Sequence, residues 1–228
     1  MFIRKITMPA YYPIYLDIKD KRCVVVGGGE VAYRKALVLK EAGAEVIVIA
    51  PEFYEKFSAE KDVVLLRQGY SGECLQGAFL VIAATNDKEI NQKIWEDAQR
   101  HGLLVNVVDQ PELCNFIVPS VVNRGELQIS ISTGGASPAL AKRIRQELES
   151  LFGPEYSELT QLLSKLRPMV ISSIKDEDKR RQVFGLLSSP KILTTIRQNG
   201  PQKAEAEMRN IINNFTSGSC GSPDPQKK

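Results

Sequence analysis

Gly27, Gly29 and Ala32 follow a β-branched run, "VVV" at 24–26, and open an amphipathic segment, "EVAYRKALVLKEAG". This is the spacing G-x-G-x-x-G/A, which holds a dinucleotide when a strand precedes it and a helix follows. The first glycine permits the tight turn and the second lets a pyrophosphate approach the backbone. A small third residue lets helix and strand pack closely. The helix start then offers free N–H groups and about half a positive charge to phosphates. The plainer reading is a tight strand–helix turn that holds nothing.

Two further chain segments end at the same crevice if the strands run parallel. "AATND" at 83–87 places Thr85 and Asn86 within reach of a ribose or a nicotinamide amide. Asn86 or Asp87 would equally well cap the next helix. "VNVVD" at 105–109 brings Asn106 and Asp109 to the crevice edge. An aspartate is ionised at neutral pH and can accept a proton. A turn aspartate two residues before Pro111 is the alternative. The adenosine ribose would meet "IAPEF", where Glu52 is the nearest acid and no Lys or Arg stands between Ala50 and Glu55. NAD is therefore expected rather than NADP.

A second glycine-rich loop, "STGGASP" at 132–138, precedes "ALAKRIRQELESLF". Ser137 is suited to cap that helix and Pro138 to be its first residue. Gly134 and Gly135 leave room for an anion, and Lys142 and Arg143 lie close by. A carboxylate-bearing substrate would fit; so would a plain loop-to-helix connection.

Other chemistries lack their parts. The one histidine, His101, excludes sites built from several imidazoles, and Cys23, Cys74, Cys114 and Cys220 include no CxxC pair. No protein metal site is expected. Tyr15 and Lys19 precede the glycine loop, out of place for a Tyr–Lys dehydrogenase pair. Cys114 has no base beside it in the sequence. The net charge of +3, without a basic block, is too small to argue for a nucleic-acid partner, and none is expected. The longest apolar run, "AFLVIAA", is too short to span a membrane. "MFIRKITMPAYYP" lacks a signal-peptide core. With thiol-like cysteine usage, a cytoplasmic location is expected.

These residues need a scaffold. Strands are predicted at 22–26, 45–50, 62–66, 79–84 and 103–108, alternating with helices at 30–42 and from 88 towards Gly102. That alternation implies a parallel sheet covered on both faces. "FIVPSVV" and "ELQISIS" predict two strands around a turn at "NRG". The second alternates apolar and polar residues, leaving one face for water or a partner. From 155 to about 215 the pattern is helical, punctuated by Pro168, Pro190 and Pro201. The expected fold class is α/β: a Rossmann-like domain (1–112), a strand-containing dimerisation segment (113–150) and a helical domain (151–215). A Gly/Pro/Ser-rich tail (216–228) is expected to be disordered.

Taken together, "GGGEVA", "IAATND", "NVVDQPELCNFIVPS" and "STGGASPALAKRIRQELE" resemble, in this order, the precorrin-2 dehydrogenase part of siroheme synthase. The resemblance covers residues 13–170 and, more loosely, the helical remainder. It implies NAD-dependent oxidation of precorrin-2 to sirohydrochlorin, and in some members insertion of Fe2+, the iron being a chelatase substrate. It also implies an intertwined homodimer, with Asp109 as the acid/base residue. Gly27, Gly28, Gly29, Glu30 and Val31 carry over as the pyrophosphate loop, and Pro51 and Glu52 as the adenosine-side edge. Thr85, Asn86 and Asn106 complete the expected cofactor set. Asn115, Thr133, Gly134, Gly135, Ser137, Lys142 and Arg143 are the expected substrate set. The methyltransferase half of the larger siroheme synthases has no counterpart in these residues. The rival reading is a non-enzymatic NAD-sensing module, although "IAPE" lacks the acid such modules keep at the end of the second strand.

Overall fold

The computed structural model describes residues 11–217. Within them the chain forms two compact units, divided between Val118 and Pro119.

The first unit is a five-stranded parallel sheet. Its strands are β1 (Arg22–Val26), β2 (Glu45–Ala50), β3 (Val63–Arg67), β4 (Leu80–Ala83) and β5 (Leu104–Val107), in the order β3-β2-β1-β4-β5. Helices α1 (Glu30–Glu41) and α2 (Lys88–Arg100) supply crossovers. The strand period of two sends alternate side chains to opposite faces. Cys23 and Val25 pack on one face with Ala32, Ala36 and Leu39 of α1. Val24 and Val26 pack on the other with Ile94 and Ala98 of α2. Both faces are covered, which is why the central strands read as unbroken apolar runs. The sheet order reverses direction at β1, between β2 and β4, so the crevice at their carboxyl ends is the expected ligand site.

The second unit begins with an antiparallel pair, β6 (Ser120–Arg124) and β7 (Leu127–Ile131). Its ladder runs out to Arg124 opposite Leu127. The turn is therefore Gly125–Glu126, two residues beyond the start of the expected "NRG". Gly125 has φ of 63°, in the left-handed region that a glycine enters without strain. Helix α3 (Pro138–Leu151) covers one face of the pair, where Val122, Ile131 and Ala141 are buried together. Val121, on the other face, is exposed.

Helices α4 (Glu155–Ser173), α5 (Glu177–Leu187), α6 (Pro190–Asn199) and α7 (Pro201–Thr216) form a bundle around Leu166, Val170, Leu187 and Met208. Pro190 and Pro201 open helices, where a missing N–H costs nothing. Pro168 does not end one: it sits inside α4. Leu162, Leu166 and Val170, all buried on the same helix, keep α4 seated against the bundle through the lost hydrogen bond. No helix among the described residues is long and apolar enough to cross a membrane. The expected disordered tail lies outside them, apart from Thr216 and Ser217.

Candidate functional site: the crevice at the sheet's carboxyl edge

The strand–helix turn leaves β1 through Gly27, whose φ is 125°. A Cβ at Gly27 would collide with the carbonyl of Ala84, and one at Gly28 with the carbonyl of Glu52. Both glycines are needed because strand ends converge on them. Gly29 differs: a Cβ there would meet nothing within 4 Å. It is the N-cap of α1 and makes no side-chain cap. The first N–H groups of a helix have no intrahelical partner, so the start of α1 faces open space with its donors unspent. Ala32 is fully buried where helix meets sheet.

The open space is a cleft of about 740 Å³, within the range of small-molecule and cofactor sites. One wall is the loop Gly27–Val31. A second is Pro51, Glu52, Phe53 and Tyr54, after β2. A third is Ala84, Thr85 and Asn86, after β4. The structure thus gathers Gly27, Gly28, Gly29, Glu30, Val31, Pro51, Glu52, Thr85 and Asn86 into one place. Thr85 is tightly held: its hydroxyl lies 2.7 Å from Oδ1 of buried Asn91, and its carbonyl accepts from the Asn91 amide. Asp87, not Asn86, caps α2, accepting from the N–H of Glu89 and Ile90. Asn86 is left facing the cleft.

Gln68, Gly69 and Tyr70 also line the cleft. The sequence reading missed them because nothing local marks them; they arrive because β3 lies beside β2. The Tyr70 hydroxyl donates to Asp97 at 2.8 Å. Burial and that carboxylate drive its pKa strongly upward, so Tyr70 is a held phenol rather than a base.

Asn106 is not among the lining residues: its amide donates to the Phe116 carbonyl at 3.1 Å. Asp109 lies just past β5, exposed, at the same carboxyl edge of the sheet. Its φ is 60°, rare for a residue with a side chain. Such conformations persist where the surroundings hold them, and they cluster at functional sites. Lys35 of α1 lies within electrostatic reach of Asp109. Burial and Arg34 lower the Lys35 pKa, while Asp109 opposes them. Lys35 is a charged group the sequence reading passed over.

Behind Asp109 the chain turns back along the outer edge of β5. The Cys114 thiol lies 3.2 Å from the Val107 N–H and 3.3 Å from the Gln110 carbonyl. Asn115 accepts from the Val105 N–H and donates to the Leu103 carbonyl, each at 2.8 Å. Burial raises the Cys114 pKa, as it pushes Cys23 up to about 11. Neither thiol is set up as a nucleophile.

The second glycine loop belongs to the other unit. Thr133 Oγ1 accepts from the Ser137 N–H, Ser132 Oγ accepts from the Gly134 N–H, and Ser137 Oγ caps Leu140. Ser137 and Pro138 occupy the cap and first-turn positions expected of them. Lys142 and Arg143 stand exposed on α3. Arg143 makes a surface pair with Glu147, at 3.5 Å.

Residues 14–120 match the family model described as "Putative NAD(P)-binding", and residues 124–151 match "Sirohaem biosynthesis protein central". A siroheme synthase of Nitrosococcus oceani is 41% identical over 174 residues, which is 75% of this chain and 37% of that protein. Siroheme synthase 1 of Pectobacterium atrosepticum is 37% identical over 207 residues, 90% of this chain and 43% of that protein. The chain spans less than half the length of these curated relatives. A solved structure titled "SirC, precorrin-2 dehydrogenase" superposes with a TM-score of 0.73 at 26% identity, covering 88% of this chain and 100% of that one.

Proposed function

We propose that this chain, which belongs to the family formed by the N-terminal part of siroheme synthases, oxidises precorrin-2 to sirohydrochlorin with NAD. The observation that carries the reading is the uncapped start of α1. Gly29 opens it to a cleft that the turns after β2 and β4 complete. The donors there suit a pyrophosphate, and Glu52 lies where a ribose hydroxyl would be read.

When bound, NAD supplies the hydride acceptor. The substrate gives up a hydride and a proton, and the protein must take the proton. Asp109 is the group for it: an exposed carboxylate at the carboxyl edge, held in a defined backbone conformation. Thr85 and Asn86 orient the nicotinamide side of the cleft. The substrate is a polycarboxylate, and Lys142 and Arg143, beside the Thr133–Ser137 loop with Gly134 and Gly135, offer the cations for it. Asn115, already bonded to the backbone of Val105 in β5 and of Leu103 just before it, acts by holding the Asp109 loop.

The segment 113–150 is the dimerisation segment in this reading. An exposed Val121, on the face of the pair opposite α3, supports pairing with a second copy. Free thiols at Cys23, Cys74 and Cys114 suit the cytoplasm.

The test is an anaerobic assay of enzymatically prepared precorrin-2 with NAD and no metal. Reduced nicotinamide and the sirohydrochlorin spectrum should rise in step. NAD binding without either rise would leave a sensing module in place of a dehydrogenase. Ferrous iron added to the same cuvette then tests chelation.

A further inference from the structure

Cofactor choice rests on what meets the adenosine ribose, and the sheet register changes that inventory. No cation stands between Ala50 and Glu55 in the sequence. Yet β3 pairs in parallel with β2, and the last rung sets Arg67 beside Ala50. Ala50 is the residue where the chain leaves β2 for the cleft. The Arg67 guanidinium donates to the Pro51 carbonyl at 3.3 Å. Its central carbon lies 5.3 Å from the centre of the Phe53 ring. Pro51, Phe53 and the next residue along, Gln68, all line the cleft. Arg67 itself is exposed and makes no ion pair among those found in the described residues. Its charge is therefore spent on one carbonyl and one ring face.

In dinucleotide folds the chain just past the second strand reads the ribose 2′ position, an acid favouring the hydroxyl and an arginine the phosphate. Glu52 of the β2 turn lines this cleft, and Arg67 of the neighbouring strand stands against two more of its lining residues, Pro51 and Phe53. A guanidinium can bind a phosphate through two parallel hydrogen bonds while one face stacks on a ring. We propose that Arg67 reads the ribose 2′ position, so that the cleft takes the 2′-phosphorylated dinucleotide as well as NAD. The inference rests on the dinucleotide reading above and adds a specificity-determining residue to it.

The test is calorimetric titration of the whole chain with NAD and with NADP, for the natural protein and for Arg67→Met and Arg67→Lys. Methionine keeps an apolar stem over Phe53 without the charge. The natural protein should bind NADP no more than about a hundredfold more weakly than NAD. Arg67→Met should weaken NADP about tenfold or more and NAD by no more than about threefold. Arg67→Lys should fall between, since lysine offers a point charge without the fork. Added salt should weaken NADP more steeply in the natural protein than in Arg67→Met. An unchanged NADP-to-NAD ratio in Arg67→Met, or no NADP binding by a protein that binds NAD, overturns the inference alone. Failure of the natural protein to bind either dinucleotide overturns the dinucleotide reading with it.

Discussion

Two glycine-rich loops each lead into a helix, and they treat the helix start in opposite ways. Before α1, Gly29 brings no side chain to the cap and no obstacle to the space in front of it. Before α3, Ser137 caps Leu140, Thr133 holds the Ser137 N–H, and Ser132 holds the Gly134 N–H. The first loop leaves its donors for something that arrives later. The second satisfies its own. Glycine content and helix polarity are shared, so neither identifies a phosphate site; the difference is whether the donors are already bonded.

The largest effect expected from this contrast is at Gly28. Gly28→Ala drives a Cβ into the Glu52 carbonyl. NAD binding should be lost and the melting temperature should fall, both measurable by thermal shift with and without NAD. Gly29→Ala sharpens the point, because its Cβ enters only open space. Its melting temperature without NAD should be unchanged while NAD affinity drops about tenfold or more. A Gly29→Ala protein that binds NAD normally would break the comparison.

Next comes Asp109→Asn, which removes the base and leaves the glycine loop untouched. Turnover should fall about 10²–10⁴-fold with NAD affinity retained. On the other loop, Ser137→Ala should cost about 0.5–2 kcal/mol of stability, read from denaturant unfolding, and leave NAD binding alone.

The smallest effect is acid weakening of the helical unit. Arg197 holds Glu155, Lys165 and Arg209 hold Glu205, and Lys191 holds Glu207, each below its ordinary carboxylate value. A depressed folded pKa gives stability that is present above the unfolded value, 4.5. It is lost as pH falls through the folded one. Melting temperature should therefore decline modestly below about pH 4.5, since exposed pairs are weak. High salt at neutral pH should reproduce part of the loss.

Much of this was legible in the chain itself. The boundaries of β2 and the Ser137 cap follow from local residue types, because burial on both faces and capping chemistry leave local marks. What stayed hidden depends on which strands are neighbours. Gln68 and Tyr70 reach the cleft, and Arg67 meets Pro51 and Phe53 of its wall, because β3 lies next to β2, and no local pattern states that order. Asn106 sits at the right height in β5, but its amide is drawn to Phe116, which returns along the strand. Pro168 marks a helix end by local rules, yet packing of Leu166 and Val170 carries α4 through it.

Strand β5 is the last of its sheet, and an unpaired outer edge offers a template on which another chain can add a strand. Residues 114 and 115 take up that edge. Asn115 covers Val105 and Leu103, and Cys114 covers Val107, just before the chain reaches Asp109. The short return that anchors the proposed base is thus also a guard against aggregation. Substitutions at Asn115 would be expected to show first as poor solubility during expression, before any assay of turnover could be run.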